Sequence, residues 1–414
     1  MIGPAAGELE AAVRWLRTPE AVRTRSAMVL AAAEAGESAH FRVDQSRLDH
    51  AAEVVARVTR EHYPDLAIPF HSRWRHFAPG RRDRWRECME KLDPLDQDDL
   101  ARIRFDLVIP SVLLDAGAGE GWRWREPSTG EVFARSEGLA LASLVLFERG
   151  LLSSHRSRPL RADAAALRAL GASTLADAFQ VSADNPLAGI EGRTLLLNRL
   201  GAAIELDPER FGHPARLGNL YDHLRAEAQD GRLPARTVLI TLLDSLATIW
   251  PGRIELGGHN LGDVGRHPAA RTDDPTNGLV PFHKLSQWLA YSLIEPLQEA
   301  GTEVVDLDAL TALAEYRNGG LLIDSGVLVP KHPAVLGDTH AAASEVVGEW
   351  RALTVALIDR LADRVRAALG LTSEQLPLVK ILQGGTWSAG RSLARQLRHD
   401  GAPPLRVISD GTLF

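Results

Sequence analysis

Apolar residues recur at three- and four-residue spacing along most of the chain. ELEAAVRWL (8–16), LDHAAEVVARVTREHY (48–63), ADAAALRAL (162–170) and TVLITLLDSLATIW (237–250) all carry one apolar face. So do FHKLSQWLAYSLIEPLQEA (282–300), LDALTALAEYR (307–317) and SEVVGEWRALTVALIDRLADRVRAAL (344–369). This period predicts amphipathic helices. Asp306 or Asp308 is placed to cap the helix 307–317, and Gly319-Gly320 to stop it. Strand signals are few. WRWRE (122–126) and EVFAR (131–135) flank Pro127-Ser128-Thr129-Gly130 and predict a β-hairpin. LRVIS (405–409) predicts one more strand. Pro/Gly-rich joints at 77–80, 250–278 and 401–404 are too short for free tethers. The expected fold is mainly α, a single large helical unit with a small hairpin near 122–135. Its expected division is an N-terminal helical extension (1–40), a helical core (41–370) and a glycine-rich C-terminal segment with its strand (371–414).

Composition narrows the classes. With 45% hydrophobic and 24% charged residues, the 414-residue chain has the balance of a folded globular protein. A net charge of −7 speaks against a broad nucleic-acid surface, so an anion must be held by a local patch. The single cysteine, Cys88, excludes a disulfide scaffold, a cysteine zinc site and an iron–sulfur cluster. No apolar run reaches membrane-span length, and Glu8 and Glu10 stand where a signal peptide is apolar. The expected location is cytoplasmic, with neither nucleic acid nor membrane as partner. Among 47 basic residues only Lys91, Lys284, Lys331 and Lys380 are lysine. A retained lysine in an arginine-rich chain marks a place where a compact ammonium is needed, or is drift.

Several segments bear on chemistry. VIPSVLLDAGAGEG (108–121) imitates a methyltransferase glycine loop, with Asp115, Gly117, Gly119 and Gly121 in register. Such a loop must open a helix within alternating strands and helices. Here it runs into WRWREPSTGEVF, so a methyltransferase is disfavoured, while Asp115 stays a candidate because flanking glycines admit a ligand closely. PFHSRWRHFAPGRRDRWR (69–86) groups His71, Arg73, Arg75 and His76 around Trp74, ahead of Arg81, Arg82, Arg84 and Arg86. That density suits a phosphate or carboxylate, or a solvated basic helix. In HNLGDVGRH, His259, Asp263 and His267 have a helical metal-ligand spacing, but Asn260, Gly262 and Gly265 disfavour a helix. A loop presenting Asp263 to substrate fits better than a metal. Downstream, Lys284 and Gln287 share a helix face, and His283 beside a lysine is either less basic than usual or a core histidine. Glu315 and Arg317, two apart, serve different neighbours. LQGGTWSAGR (382–391) reads as a glycine-rich turn that closes over a ligand or packs the C-terminal strand. There is no Gly-x-Ser-x-Gly elbow, Walker loop or His-Glu-x-x-His. Carboxylates, histidines and aromatics near glycine turns suit hydrolysis through a cationic transition state.

The words IPFHSRWRHF, IPSVLLDAGAGEGWRWREP, SEGLALASL, FQVSADNPLAGIEGR, NLGDVGRH, VPFHKLSQWLAYSLIEP, ALAEYRNGGLLIDSGVL and GGTWSAGR occur in this order from about residue 40 to the end. They resemble the uracil-catabolism protein family of fungi and bacteria, which belongs to a route releasing urea through ribose-phosphate-linked intermediates. A weaker resemblance is to queuosine-salvage nucleotide glycosidases. NPLAGIEGRTLLLNRLG, with Arg193, is similar to their substrate-proximal segment. FHKLSQWLAYSL resembles their Lys-Arg-Ala-Gln helix, matching at Lys284 and Gln287 and departing at Leu285 and Ser286. LTALAEYRNGGLLIDSGVL resembles their Ala-Asp-Tyr-Arg segment at Tyr316 and Arg317, with Glu315 in place of the aspartate. The fold this implies is akin to helix-hairpin-helix glycosylases.

The resemblances imply a hydrolase that cleaves the N-glycosidic bond of a ribose-phosphate-linked, ring-opened uracil intermediate, freeing urea or a ureido acid. Asp263, or else Asp115, is expected to stabilise the anomeric cation and orient water, with Glu137 a further candidate. Lys284 and the 71–76 cluster are expected on the phosphate, and Trp122 or Trp124 on the pocket wall. Arg193, His283, Gln287, Tyr316 and Arg317 are further substrate-side expectations. The expected partner is a phosphorylated ribosyl small molecule, with a functional link to the ring-opening enzyme and no cofactor. Two alternatives stay open: an amidohydrolase on the same intermediate, with a metal at His259, Asp263 and His267, or a non-catalytic partner of the ring-opening enzyme.

Overall fold

The apolar spacing resolves into the helices Ala6–Leu16, Leu48–His62, Ala164–Ala169, Ala235–Leu246, Lys284–Glu299 and Glu345–Leu369. The computed structural model describes residues 6–80, 82–119, 121–251 and 254–408. The architecture is mainly α, with strands only in short pairs. The hairpin forms as Trp124–Arg125 against Val132–Phe133, and the C-terminal strand Arg406–Ile408 lies parallel to Thr339–Ala341. No helix among the described residues is long and apolar enough to cross a membrane.

Three local expectations are corrected. The segment 307–317 is not a helix. Asp306 adopts a left-handed conformation without a capping bond, and only the single turn Leu307–Ala309 follows. The helix there is Tyr316–Asp324, capped by Glu315, whose carboxylate accepts from the backbone N–H groups of Arg317 and Asn318. It runs straight through Gly319-Gly320. A Cβ on Gly319 would lie 2.5 Å from the Trp350 indole, so this glycine permits close helix packing. Second, residues 382–391 form no turn. A π-helical stretch, Leu382–Thr386, continues into the helix Trp387–Leu397. Third, Val108–Leu113, which a cofactor loop would need as a strand, closes the helix Gln97–Leu113.

The chain forms two units that interleave in sequence, where three consecutive segments were expected. One comprises residues 6–71, 254–287 and 306–408. Its helix Glu345–Leu369 is buried without a break from Val346 to Ile358, the pattern of a central helix. The helices Pro19–Glu34, Leu48–His62 and Tyr316–Asp324 pack on it, so residues 6–40 belong to this core. Antiparallel pairs Phe41–Val43 with Leu328–Pro330, and Val264–Arg266 with Leu279–Pro281, edge the same unit. The other unit comprises described residues of 72–251 and 288–305. It contains the helices Gln97–Leu113, Arg135–Glu148 and Ile190–Glu205, the hairpin, and the strand Arg232–Pro234 parallel to Glu303–Val305.

Candidate functional site

The first unit gathers charged side chains around Asp263. Strand pairing brings Leu279–Pro281 beside Val264–Arg266, and the Asp263 carbonyl accepts from the N–H groups of Phe282 (2.9 Å) and His283 (3.2 Å). The chain then enters the helix Lys284–Glu299 through His283, held at φ +47°. A non-glycine residue in that region stores strain and marks a functional candidate. The buried Asp263 carboxylate accepts both Arg351 guanidinium nitrogens, at 2.8 and 2.7 Å, and the Lys284 N–H at 3.0 Å. Burial is the strongest single influence and opposes its charge. The Arg351 ion pair, the Lys284 N–H and His283 together outweigh it and hold the carboxyl below its ordinary range. Arg351 also lies over the Phe282 ring and donates to the Ala314 carbonyl at 3.3 Å. That bond ties Asp263 to the segment ending in Glu315.

Glu315 behaves oppositely. Burial raises its pKa, only partly countered by the Arg317 and Asn318 N–H groups and by the charges of Lys284 and Arg317. Two buried carboxyls of one unit, both influenced by groups of Lys284, are thus pushed apart in proton affinity. Lys284 itself is half-buried.

Other expected residues of this unit have partners within the fold. Burial lowers the His283 pKa, and its Nε2 lies 2.9 Å from the Leu16 carbonyl, so the reduced basicity stems from desolvation rather than from the adjacent lysine. The Gln287 amide bonds Thr311 at both ends, which makes it a clamp rather than a ligand group. Arg317 donates to the Gly401 carbonyl and stacks on Tyr316, while Glu315 caps the helix, so the two side chains do serve different neighbours. His71 bonds Gln383 at 3.0 Å. The metal triad is not assembled: His259 is exposed on a short strand, Asp263 pairs with Arg351, and His267 pairs with Glu349. An open cleft of about 610 Å³ in this unit, lined by Trp15, Arg25, Met28 and Thr276 among others, holds none of these residues.

The second unit gathers Arg73, Asp115 and Glu137. Fully buried Arg73 donates to Asp115 at 2.7 Å, Ser111 Oγ at 2.8 Å and the Ser136 carbonyl at 3.3 Å, and lies over Trp288. Its Nη2 has no hydrogen-bond partner. The other Asp115 oxygen accepts from Ser136 Oγ at 3.1 Å. The charge of half-buried Glu137 acts on Arg73.

The expected arginine clamp is corrected here. Arg75 pairs with Glu295, Arg82 with Glu87, Arg84 with Glu126 and Glu131, and Arg86 with Glu90. Arg81 lies outside the described residues. Each of these guanidinium groups meets a carboxylate of the protein, with Arg86–Glu90 paired at the surface. Arg193 is sealed in the interior. It donates to the carbonyls of Leu114, Ala116, Gly117 and Ala188, and so orders the glycine loop behind Asp115. Trp122 and Trp124 are buried, donating to the Phe179 and Ala178 carbonyls. His76 packs edge-on against Trp288. Sequence reasoning missed Arg351 as a partner and Glu315 as a titrating group. For Arg351 the signal is two charges, Glu349 and Arg351, inside an otherwise apolar helical stretch, each of which demands its own buried partner.

Comparison with known proteins bears on this geometry. The family described as "Protein of unknown function (DUF1688)" matches residues 15–414. The chain is 37% identical over 404 residues to "Protein urg3" of Schizosaccharomyces pombe, covering 95% of this chain and 96% of that protein. It is 35% identical over 411 residues to "Uracil catabolism protein 4" of Lachancea kluyveri, covering 92% and 93% respectively.

Proposed function

The chain belongs to the DUF1688 family, and from that membership we propose that it works in uracil catabolism as a hydrolase. Its substrate is a ribose-phosphate-linked, ring-opened uracil intermediate, cleaved at the N-glycosidic bond to free urea or a ureido acid. The name of the Lachancea kluyveri relative supports the pathway. The observation that carries the reaction is the divergence of two buried carboxyls, Asp263 held down by Arg351 and Glu315 raised by burial. Groups pushed apart in this way divide acid and electrostatic roles. Asp263, kept ionised, stabilises positive charge growing at the anomeric carbon. Glu315 carries the proton that the departing ureido nitrogen takes. The anomeric C–N bond breaks, its electron pair leaves with nitrogen, and water oxygen bonds to the carbon. The proton lost by the water returns Glu315 to its starting form. The Lys284 ammonium at the start of its helix receives the phosphate.

Incubating the purified chain with ribosylurea phosphate tests this. The expected products are urea and ribose phosphate in equal amounts, with the rate reduced on the order of a hundredfold in Glu315→Gln. Absence of both urea and ammonia with a folded chain sinks the hydrolase reading and favours a non-catalytic partner of the ring-opening enzyme. Release of ammonia instead favours amide cleavage.

A further inference from the structure

A second polar cluster in the first unit lies outside the candidate site. Glu345 and Glu349 are one turn apart on the central helix and share a face. His40, just before the strand Phe41–Val43, brings Nε2 to 3.7 Å from a Glu345 carboxylate oxygen. One ligand-type atom from each of His40, Glu345 and Glu349 lies within 4.8 Å of the other two. Two carboxylates at that spacing repel unless a cation joins them.

Glu349 is prepared as a ligand in a way that ordinary surface acids are not. It is fully buried, and Oε1 accepts from the Phe41 N–H at 3.0 Å and from Ser38 Oγ. Its Oε2 lies 3.4 Å from His267 Nε2. The Ala269 N–H donates to His267 Nδ1 at 3.1 Å. With Nδ1 accepting, Nε2 is the nitrogen that donates to Glu349. His267 is a positioning residue, the outer-shell arrangement that orients a ligating carboxylate. Lys331 braces the other side. Its ammonium bonds the Gly36 and Ser38 carbonyls, and its N–H bonds the His40 carbonyl at 2.9 Å.

The geometry points to a divalent transition-metal site formed by His40 Nε2 and the carboxylates of Glu345 and Glu349. An imidazole nitrogen with two carboxylates suits Zn²⁺ or Mn²⁺, whereas Ca²⁺ and Mg²⁺ favour oxygen alone. Ligand atoms around one ion with bonds of about 2.1 Å lie roughly 3–4 Å apart, so a pair near the 4.8 Å limit must close by roughly 1–2 Å. The side chains of Glu345 and His40 are 47% and 26% exposed and free to supply it, while Glu349 stays anchored. Three protein ligands leave room for water on the solvent side. The bound ion clips the loop 36–41 to the central helix. This site is independent of the hydrolase reading.

Isothermal titration of the untagged, chelator-treated full chain with ZnCl₂ and with MnCl₂ tests the site, together with melting temperatures. The expected result is one ion of at least one of these metals per chain and a saturable rise in melting temperature. His40→Gln and Glu345→Gln alter part-exposed side chains, so both should keep the metal-free melting temperature. Each should weaken binding on the order of tenfold or more, and Ser38→Ala should weaken it by about tenfold through the Glu349 carboxylate. Failure of both metals to bind at one per chain overturns the proposal. So does binding that survives unchanged in His40→Gln and Glu345→Gln.

Discussion

The two buried ion pairs, Arg351–Asp263 in one unit and Arg73–Asp115 in the other, look alike in geometry and differ in company. Each has a guanidinium nitrogen 2.7 Å from a carboxylate oxygen, with little exposure on either side. Around Arg73 the neighbours are hydroxyls, a carbonyl, Trp288 and, through its charge, Glu137, and the glycine loop behind Asp115 is itself locked by Arg193. That is a framework. Around Arg351 the chain adds half-exposed Lys284, a strained His283 and a second carboxyl whose proton affinity moves the other way. A buried pair alone says only that charge had to be matched. A pair accompanied by a group pushed in the opposite direction has the makings of acid–base chemistry.

The sharpest way to break this contrast is at Arg73. Arg73→Met leaves Asp115 buried and unpaired, which should cost about 3–5 kcal/mol of stability. Adding Asp115→Leu should restore most of it. A urea midpoint for the single variant close to that of the unmodified chain would show that this pair is no framework. Lys284→Ala probes the other region with a smaller effect. Turnover of the phosphorylated substrate should fall on the order of tenfold to a hundredfold, with the melting temperature kept and the unphosphorylated nucleoside little affected. Equal losses on both substrates would remove Lys284 from the phosphate.

The smallest expected effect is in pH dependence. Glu315 has a raised folded pKa, so its contribution to stability is present below the ordinary glutamate range and declines as pH climbs through the raised value. Asp263 has a lowered folded pKa, so its contribution is present above the ordinary aspartate range and disappears as pH falls through the lowered value. Urea midpoints against pH for Glu315→Gln and Asp263→Asn, each referred to the unmodified chain, should therefore diverge with opposite slopes. Parallel curves would mean that the two carboxyls share one environment.

Much of the helical layout was legible. The spacing of Leu48, Ala51, Ala52, Val55 and Val58 marks one buried face, and that face is buried. The hairpin at Pro127–Gly130 was equally plain. The helix at 307–317 misled because Asp306 and Asp308 are good caps in composition only. Glu315 makes the capping bonds, and nothing local distinguishes it. Asp263 and Lys284 were found as candidates, but their environment was not. Asp263 meets Arg351 across 88 residues, and Arg73 meets Asp115 across 42. Arg73, Arg75 and Arg84 read as parts of a phosphate clamp because their carboxylate partners, Asp115, Glu295 and Glu126, lie elsewhere in the chain.

By itself, the sequence determined the helical character, the short hairpin, the absence of cysteine-based sites and the residues capable of acid–base work. These follow from periodicity, turn chemistry and composition, which act over a few neighbours. Only the tertiary structure decided which charges meet. It set Arg351 on Asp263, buried Glu315 until its proton affinity rose, spent the arginine row on internal carboxylates, and brought His40 to Glu345 and Glu349. The physical reason is that desolvation and Coulomb attraction depend on distance through space, and a side chain's charge state is set by neighbours the local sequence does not contain.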